Sequence, residues 1–149
     1  MLERYTERAR GAIFLGRYEA TSRGSSLIEV EHLLLSLLKE DKILLGVLPN
    51  EIPEAIGSEI RQVLQLCDRA ISTSVDIPLS RDSMRVLAYS AEEAGRLGHK
   101  LIDCSHLTLG LLRIEGCLAR DLLRTHGIDS DSYRSIVGSA LQAPTSRRA

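Results

Sequence analysis

Apolar residues recur every three or four positions through most of this chain, and the runs begin and end where helix chemistry would place them. After Thr6, whose hydroxyl suits an N-cap, Ala9, Ala12, Ile13, Gly16 and Ala20 fall on one face, and Gly24 stands where a left-handed residue closes a helix. Leu27 and Ile28 read as a short extended link. The next run, from about Val30 to Lys39, is apolar on nearly every side, which predicts a central helix. Ile43 to Leu48 predicts a short third helix, stopped near Pro49. Pro53 suits the first turn of a fourth, with a stripe of Ile56, Ile60, Val63, Leu64, Cys67 and Ile71.

After the polar stretch 72–78 the cycle restarts. Ser80 caps a helix bearing Val86, Leu87, Ala91 and Ala94, with Gly98 at its end. Asp103 caps a second, running to about Ile114. Cys117 to Thr125 makes a short third, ended by Gly127, and Asp129 caps a last helix carrying Tyr133, Ile136, Val137, Ala140 and Leu141. Residues 19–38 align without a gap on residues 93–112, an offset of 74, and ten of those 20 positions are identical. Thr6 falls on Ser80, and His32 on His106. The fold predicted is all-α: one domain over 1–149, made of two tandem four-helix repeats related by pseudo-twofold symmetry. The repeats span about 5–71 and 79–142, with a linker at 72–78 and a flexible tail at 143–149.

Composition narrows the function. The chain is 44% hydrophobic but only 3% aromatic, so its core must come from aliphatic side chains, which favours helices. Nineteen basic residues against 20 acidic ones leave a net charge of −1, which excludes the clustered basic excess of a nucleic-acid binder. No apolar run approaches the ~20 residues of a membrane span, and the amino terminus lacks a signal-peptide pattern; a cytoplasmic protein is expected. Cys67, Cys104 and Cys117 form no CxxC and fall on apolar faces, as buried free thiols would. His32 and His106 have no Cys, Asp or His at ligand spacing, so no metal is expected and both read as buried rings bonded to backbone.

The opening Tyr5-Thr6-Glu7-Arg8-Ala9-Arg10, the Glu19-Ala20 pair and the run Ile28-x-x-Glu31-His32-Leu33-Leu34-Leu35 resemble the N-terminal domain of the Clp/Hsp100 unfoldases. The TERAR opening is closest to the ClpC type, and that family is also a tandem repeat of nearly this period. The resemblance implies a non-catalytic module that binds protein clients or adaptors on behalf of an ATP-driven motor. An alternative it implies is a stand-alone regulatory or structural subunit that associates with a Clp ATPase or protease and modulates adaptor access. Both a stand-alone protein and a segment of a longer unfoldase fit this sequence.

The resemblance also implies a phosphoarginine site in which Glu31 takes the guanidinium and Thr6 the phosphate. A carboxylate can hold a guanidinium through paired charge-assisted hydrogen bonds, and a hydroxyl beside free helix-start amides can hold a phosphate. In the second repeat Ser80 and Ser105 occupy the corresponding positions, and a serine cannot supply the missing charge, so a second site would be lost or altered. No serine–histidine–aspartate constellation is apparent, and no cofactor is expected. The chain contains neither GxxxxGK[ST] nor any Gly-Lys pair to cradle a nucleotide. Titration calorimetry with ATP and magnesium should therefore show no binding; micromolar affinity would overturn this expectation.

Overall fold

The same short-range chemistry starts both halves of the chain. In the computed structural model, which describes residues 3–64 and 76–141, Thr6 Oγ1 accepts the Ala9 amide and Ser80 Oγ accepts the Ser83 amide, each at 3.1 Å. These caps open the long helices α1 (Glu7–Ser22) and α5 (Arg81–Arg96). Both helices close on glycines, Gly24 and Gly98, each at φ 75°. The amides of Ser25 and His99 then reach back to the Ala20 and Ala94 carbonyls. A side chain at either glycine would be strained in that left-handed conformation.

The remaining helices are α2 (Val30–Glu40), α3 (Lys42–Val47), α4 (Ile52–Leu64), α6 (Cys104–Leu111), α7 (Leu118–Thr125) and α8 (Ser130–Ala140). Among the described residues the only extended pairing is two isolated bridges, so the fold is all-α, in two tandem units. As the all-round apolar pattern predicts, α2 and α6 form the centre: every residue of α6 is buried, as are Val30 and His32 through Leu38 of α2. Each buried leucine contributes roughly 1.5–3 kcal/mol relative to an exposed one.

Each central helix carries its long helix antiparallel. Arg8, at the start of α1, meets Glu40 at the end of α2 at 3.7 Å, while Gly16 faces Leu33 and the His32 carbonyl. The α5–α6 contact is tightest at Gly110, where a Cβ would lie 2.5 Å from the Val86 carbonyl oxygen and 2.9 Å from the Ser90 amide. The paired glutamates of the repeat hold equivalent places. Glu19 binds Arg23 at 2.9 Å and Lys39 at 3.6 Å, and fully buried Glu93 binds Arg134 at 2.7 Å and Arg113 at 3.2 Å. Lys39 and Arg113 are themselves repeat partners (39 + 74 = 113).

The halves exchange their leading segments. Tyr5 bridges to Ile102, and Leu79 bridges to Ile28. Thr6 donates its amide to the Ile102 carbonyl at 3.0 Å, and Ser80 donates its own to the Ile28 carbonyl at 3.0 Å. A buried carboxylate adds a further tie. Asp41, between α2 and α3, accepts hydroxyls from Thr108 at 2.6 Å, Tyr133 at 2.7 Å and Ser105 at 3.1 Å, and the Leu44 amide at 3.2 Å. Burial pushes its carboxyl above the usual range, and these four donors offset part of that.

Several sequence expectations need correction. Val63, placed on the apolar stripe of α4, is 61% exposed. Helix α6 stops at Leu111 rather than Ile114, because the next amides, of Arg113 and Ile114, reach back only three residues, to Gly110 and Leu111. Ala140 is exposed, whereas Tyr133 and Val137 are buried as expected. Of the predicted linker, Ile77 is buried and Pro78 accepts the Ile28 amide. Cys67, Ile71, residues 72–75 and the tail 143–149 lie outside the described residues.

Two substitutions test this packing by urea unfolding. Tyr133→Phe removes one donor from a buried carboxylate and should cost about 1.5–3 kcal/mol. Gly110→Ala forces backbone apart at the α5–α6 contact and should cost about 1–3 kcal/mol or more. A change below measurement error in either would contradict the geometry.

Candidate functional site

Thr6 and Glu31 stand at opposite ends of α2. Because α1 runs antiparallel to α2, Thr6 lies near the Glu40 end, whereas Glu31 is in the first turn. Nine residues of helix separate Glu31 from Glu40, roughly 13 Å at the usual rise. The structure thus does not bring Thr6 and Glu31 together as the resemblance implied. The physical reason is the exchange of leading segments, which carries Thr6 to the start of α6 in the other half. There its hydroxyl donates to Asp103 Oδ1 at 2.9 Å, and that same oxygen caps the Cys104 amide at 2.8 Å.

Ser80, by the same exchange, sits at the start of α2. Its backbone amide is on Ile28, and the neighbouring Ser83 hydroxyl donates to the Ile28 carbonyl at 2.7 Å. The Ser80 hydroxyl is buried and donates to Ser83 Oγ at 3.1 Å. Glu31 is half-buried three residues further along. Its Oε2 accepts the Ala119 amide at 3.2 Å, so it caps α7 from another helix. Among the described residues no Lys or Arg forms an ion pair with it. Of the candidates, Ser80 is thus tied by its backbone to Ile28, three residues before Glu31 and in the other repeat.

Ser105 differs from its repeat partner Glu31 in environment as well as charge. It is buried, and its one hydroxyl proton goes to Asp41, leaving no donor for a ligand. Asp41 is the residue the sequence pattern did not single out. It stood between two helix predictions, and only the fold shows three hydroxyls from α6 and α8 converging on it.

The repeated histidines are structural, as their spacing suggested. His32 Nδ1 accepts the Glu29 amide at 2.9 Å, and His106 Nδ1 accepts the Asp103 amide at 2.8 Å. Burial first, with lesser electrostatic contributions, lowers each imidazole to about 4. Among the described residues no cluster could hold a metal. Burial also pushes the Cys104 thiol up to about 12, with Asp103, Asp41 and Glu40 adding to it; Cys117 is raised too, by burial first. Neither is a reactive thiolate.

A groove of about 740 Å³ lies between the outer face of α1 and the exchanged segment 76–79. Ile13, Phe14, Ile28, Ile77 and Leu79 make it apolar, and Arg10 and Arg17 flank it. A second apolar hollow of about 490 Å³, holding Tyr5, Met84 and Leu87, adjoins it across Leu79. Phe14 is 59% exposed and Met84 57%. The sequence did carry a signal: Phe14 and Tyr18, four residues apart, lie off the buried stripe of α1. No described helix is long and apolar enough to cross a membrane.

The family described as the Clp repeat (R) N-terminal domain matches this chain twice, over residues 4–88 and 78–148. The chloroplastic chaperone protein ClpC1 of Oryza sativa subsp. japonica is 32% identical over 152 residues, covering 96% of this chain and 16% of that protein. The chloroplastic chaperone protein ClpC2 of Arabidopsis thaliana is 33% identical over 138 residues, covering 92% of this chain and 14% of its own length. The chain thus spans about one sixth of these relatives. The crystal structure of the N-terminal domain of the chaperone ClpD from Arabidopsis thaliana superposes with a TM-score of 0.71 at 27% identity, covering 96% of this chain and 97% of that one. The Hsp104 N-terminal domain from Candida albicans shares the fold, with a TM-score of 0.66 at 14% identity and coverage of 95% and 93%.

The lowered histidines give stability a definite sign. The unfolded rings take protons near pH 6.5 while His32 and His106 in the fold resist to about 4, so stability is lost as pH falls across that window. Asp41, raised by burial, acts oppositely at its lower end. The urea midpoint should drop between pH 7 and 5, and less steeply in His32→Gln; a midpoint that rises would contradict the burial of both rings.

Proposed function

The chain belongs to the Clp repeat (R) N-terminal domain family, and on that premise we propose that it is a non-catalytic module that binds protein clients or adaptors. The observation that supports this reading best is the apolar groove along α1, with a large aromatic side chain left in solvent. Monomeric soluble proteins seldom expose contiguous apolar surface without a partner for it. Arg10 and Arg17 at its margin suit a polar rim around an apolar anchor.

Phosphoarginine is the client chemistry proposed for the other candidate site. Glu31, with no cation paired to it among the described residues, supplies the charge for a guanidinium, and the first turn of α5 beside Ser80 offers helix-start amides for the phosphate. Thr6, bound to Asp103 at the far end of α2, has no part in this version of the site. One site per chain follows, since Ser105 is committed to Asp41.

Calorimetry with phosphoarginine separates these roles. Wild type should bind at one site, Glu31→Ala should lose about 2 kcal/mol or more of affinity, and Thr6→Ala should bind as wild type once its stability loss is allowed for. Unaltered binding in Glu31→Ala, or two equal sites, would remove phosphoarginine and leave the groove. The groove has its own test. Phe14→Ser should weaken binding of unfolded casein, followed by fluorescence anisotropy, while changing stability by no more than about 0.5 kcal/mol. Casein binding as tight as wild type would count against the groove.

A further inference from the structure

Gly11 is the fifth of the 16 residues of α1, and a Cβ placed there would meet no atom of the chain within 4 Å. The other helical glycines among the described residues differ. Gly16, Gly57, Gly110 and Gly138 each face a neighbour, and Gly46 and Gly95, also open, are next to last in their helices. Inside a helix glycine is less favourable than alanine, and packing supplies no reason for this one. Gly11 is exposed, and it lines the apolar groove one turn before Phe14.

We propose that Gly11 determines what the groove accepts: its missing side chain opens a bay on the bare backbone of α1 in which an aromatic ring of an unfolded client lies against Phe14. The proposal rests on reading the groove as the client site. A flat ring can approach a helix backbone closely only where no Cβ stands. Phe14, three residues on, shares that face of the helix and is 59% exposed. The Arg17 guanidinium lies 4.9 Å from the centre of its ring, from the following turn. The free side and edge of Phe14 suit an offset or edge-to-face partner, which gains more from a ring than from an aliphatic chain of similar area. Ile77 and Leu79 form the opposite apolar wall.

The rim selects against a charged occupant. Glu7 and Asp76 balance Arg10 and Arg17 around the groove. Arg17 reaches Asp76 at 3.7 Å, and Arg10 donates one N–H to the Tyr5 carbonyl at 3.1 Å. An uncharged ring fits between these groups, whereas a charged side chain would be desolvated against apolar walls. The second repeat lacks the arrangement. Arg85 holds the position of Gly11 (11 + 74 = 85) and reaches Asp82 at 3.4 Å, and Ala88 holds that of Phe14 (14 + 74 = 88). The hollow beside Met84 thus has neither the glycine nor the exposed phenylalanine, and one bay per chain follows.

The test reads stability and binding on the same variants of the whole chain, by urea unfolding and by fluorescence anisotropy with unfolded casein. Gly11→Ala and Gly11→Gln should both raise the urea midpoint, since each favours helix more than glycine and meets nothing. Casein affinity should move the other way, falling about threefold in Gly11→Ala and about tenfold in Gly11→Gln. By nitrogen-15 NMR, millimolar N-acetyl-phenylalanine amide should shift the Gly11 and Leu79 amides of wild type about threefold more than N-acetyl-leucine amide does. Casein bound as tightly by Gly11→Gln as by wild type, with Phe14→Ser still weakened, would overturn the bay and leave the groove. Unaltered binding in both would remove the groove and the bay together. Equal shifts with the two amides, or a urea midpoint that falls in Gly11→Gln, would also overturn the proposal.

Discussion

Ile28 and Ile102 give their amides and carbonyls to the opposite half of the chain, and this exchange decides what the rest of the structure can do. Each half supplies its partner's first extended pairing, so neither central helix has a complete start without the other repeat. The cap of each long helix is tied to the segment that leads into the partner's second helix. A site built at a helix start in this fold is thereby a site between repeats. That is why Ser80 is tied to Ile28, three residues before Glu31, while Thr6 meets Asp103.

The duplication has diverged where charge matters. In one half a carboxylate on α2, Glu31, caps α7 through the Ala119 amide. At the equivalent position of the other half Ser105 is a neutral donor, and the carboxylate that accepts from it, Asp41 capping α3, is supplied by the first half. Two carboxylates at this second position would face one another in a buried place, at a large electrostatic cost. The serine that looked like a lost ligand is the complement of a buried aspartate. The histidines diverge more mildly. Both rings accept a backbone amide, but only His106 has a second ring to bond.

Much of the fold was legible because it rests on local chemistry. Caps at Thr6, Ser80, Asp103 and Asp129, glycines at 24, 98 and 127, and the apolar runs of α2 and α6 each act over one or two turns, which sequence spacing records directly. That Thr6 pairs with Asp103 and stands apart from Glu31 was not legible. Alignment of a repeat shows which residues are equivalent, and it is silent on which equivalents exchange partners. Val63 failed for a related reason: its spacing fits the stripe, but α4 is a peripheral helix with a narrow buried face. Asp41 required the convergence of three hydroxyls from two helices of the other half, which no local pattern carries.

If the exchanged segments join the halves into one cooperative unit, the halves cannot unfold separately. The direct measurement is urea unfolding followed residue by residue with NMR, comparing Ile28, Leu34 and Leu37 with Ile102, Leu109 and Leu111. The account predicts one midpoint shared by all six amides. Two midpoints, one for each repeat, would show that the exchanged segments and Asp41 do not couple the halves, and would contradict it.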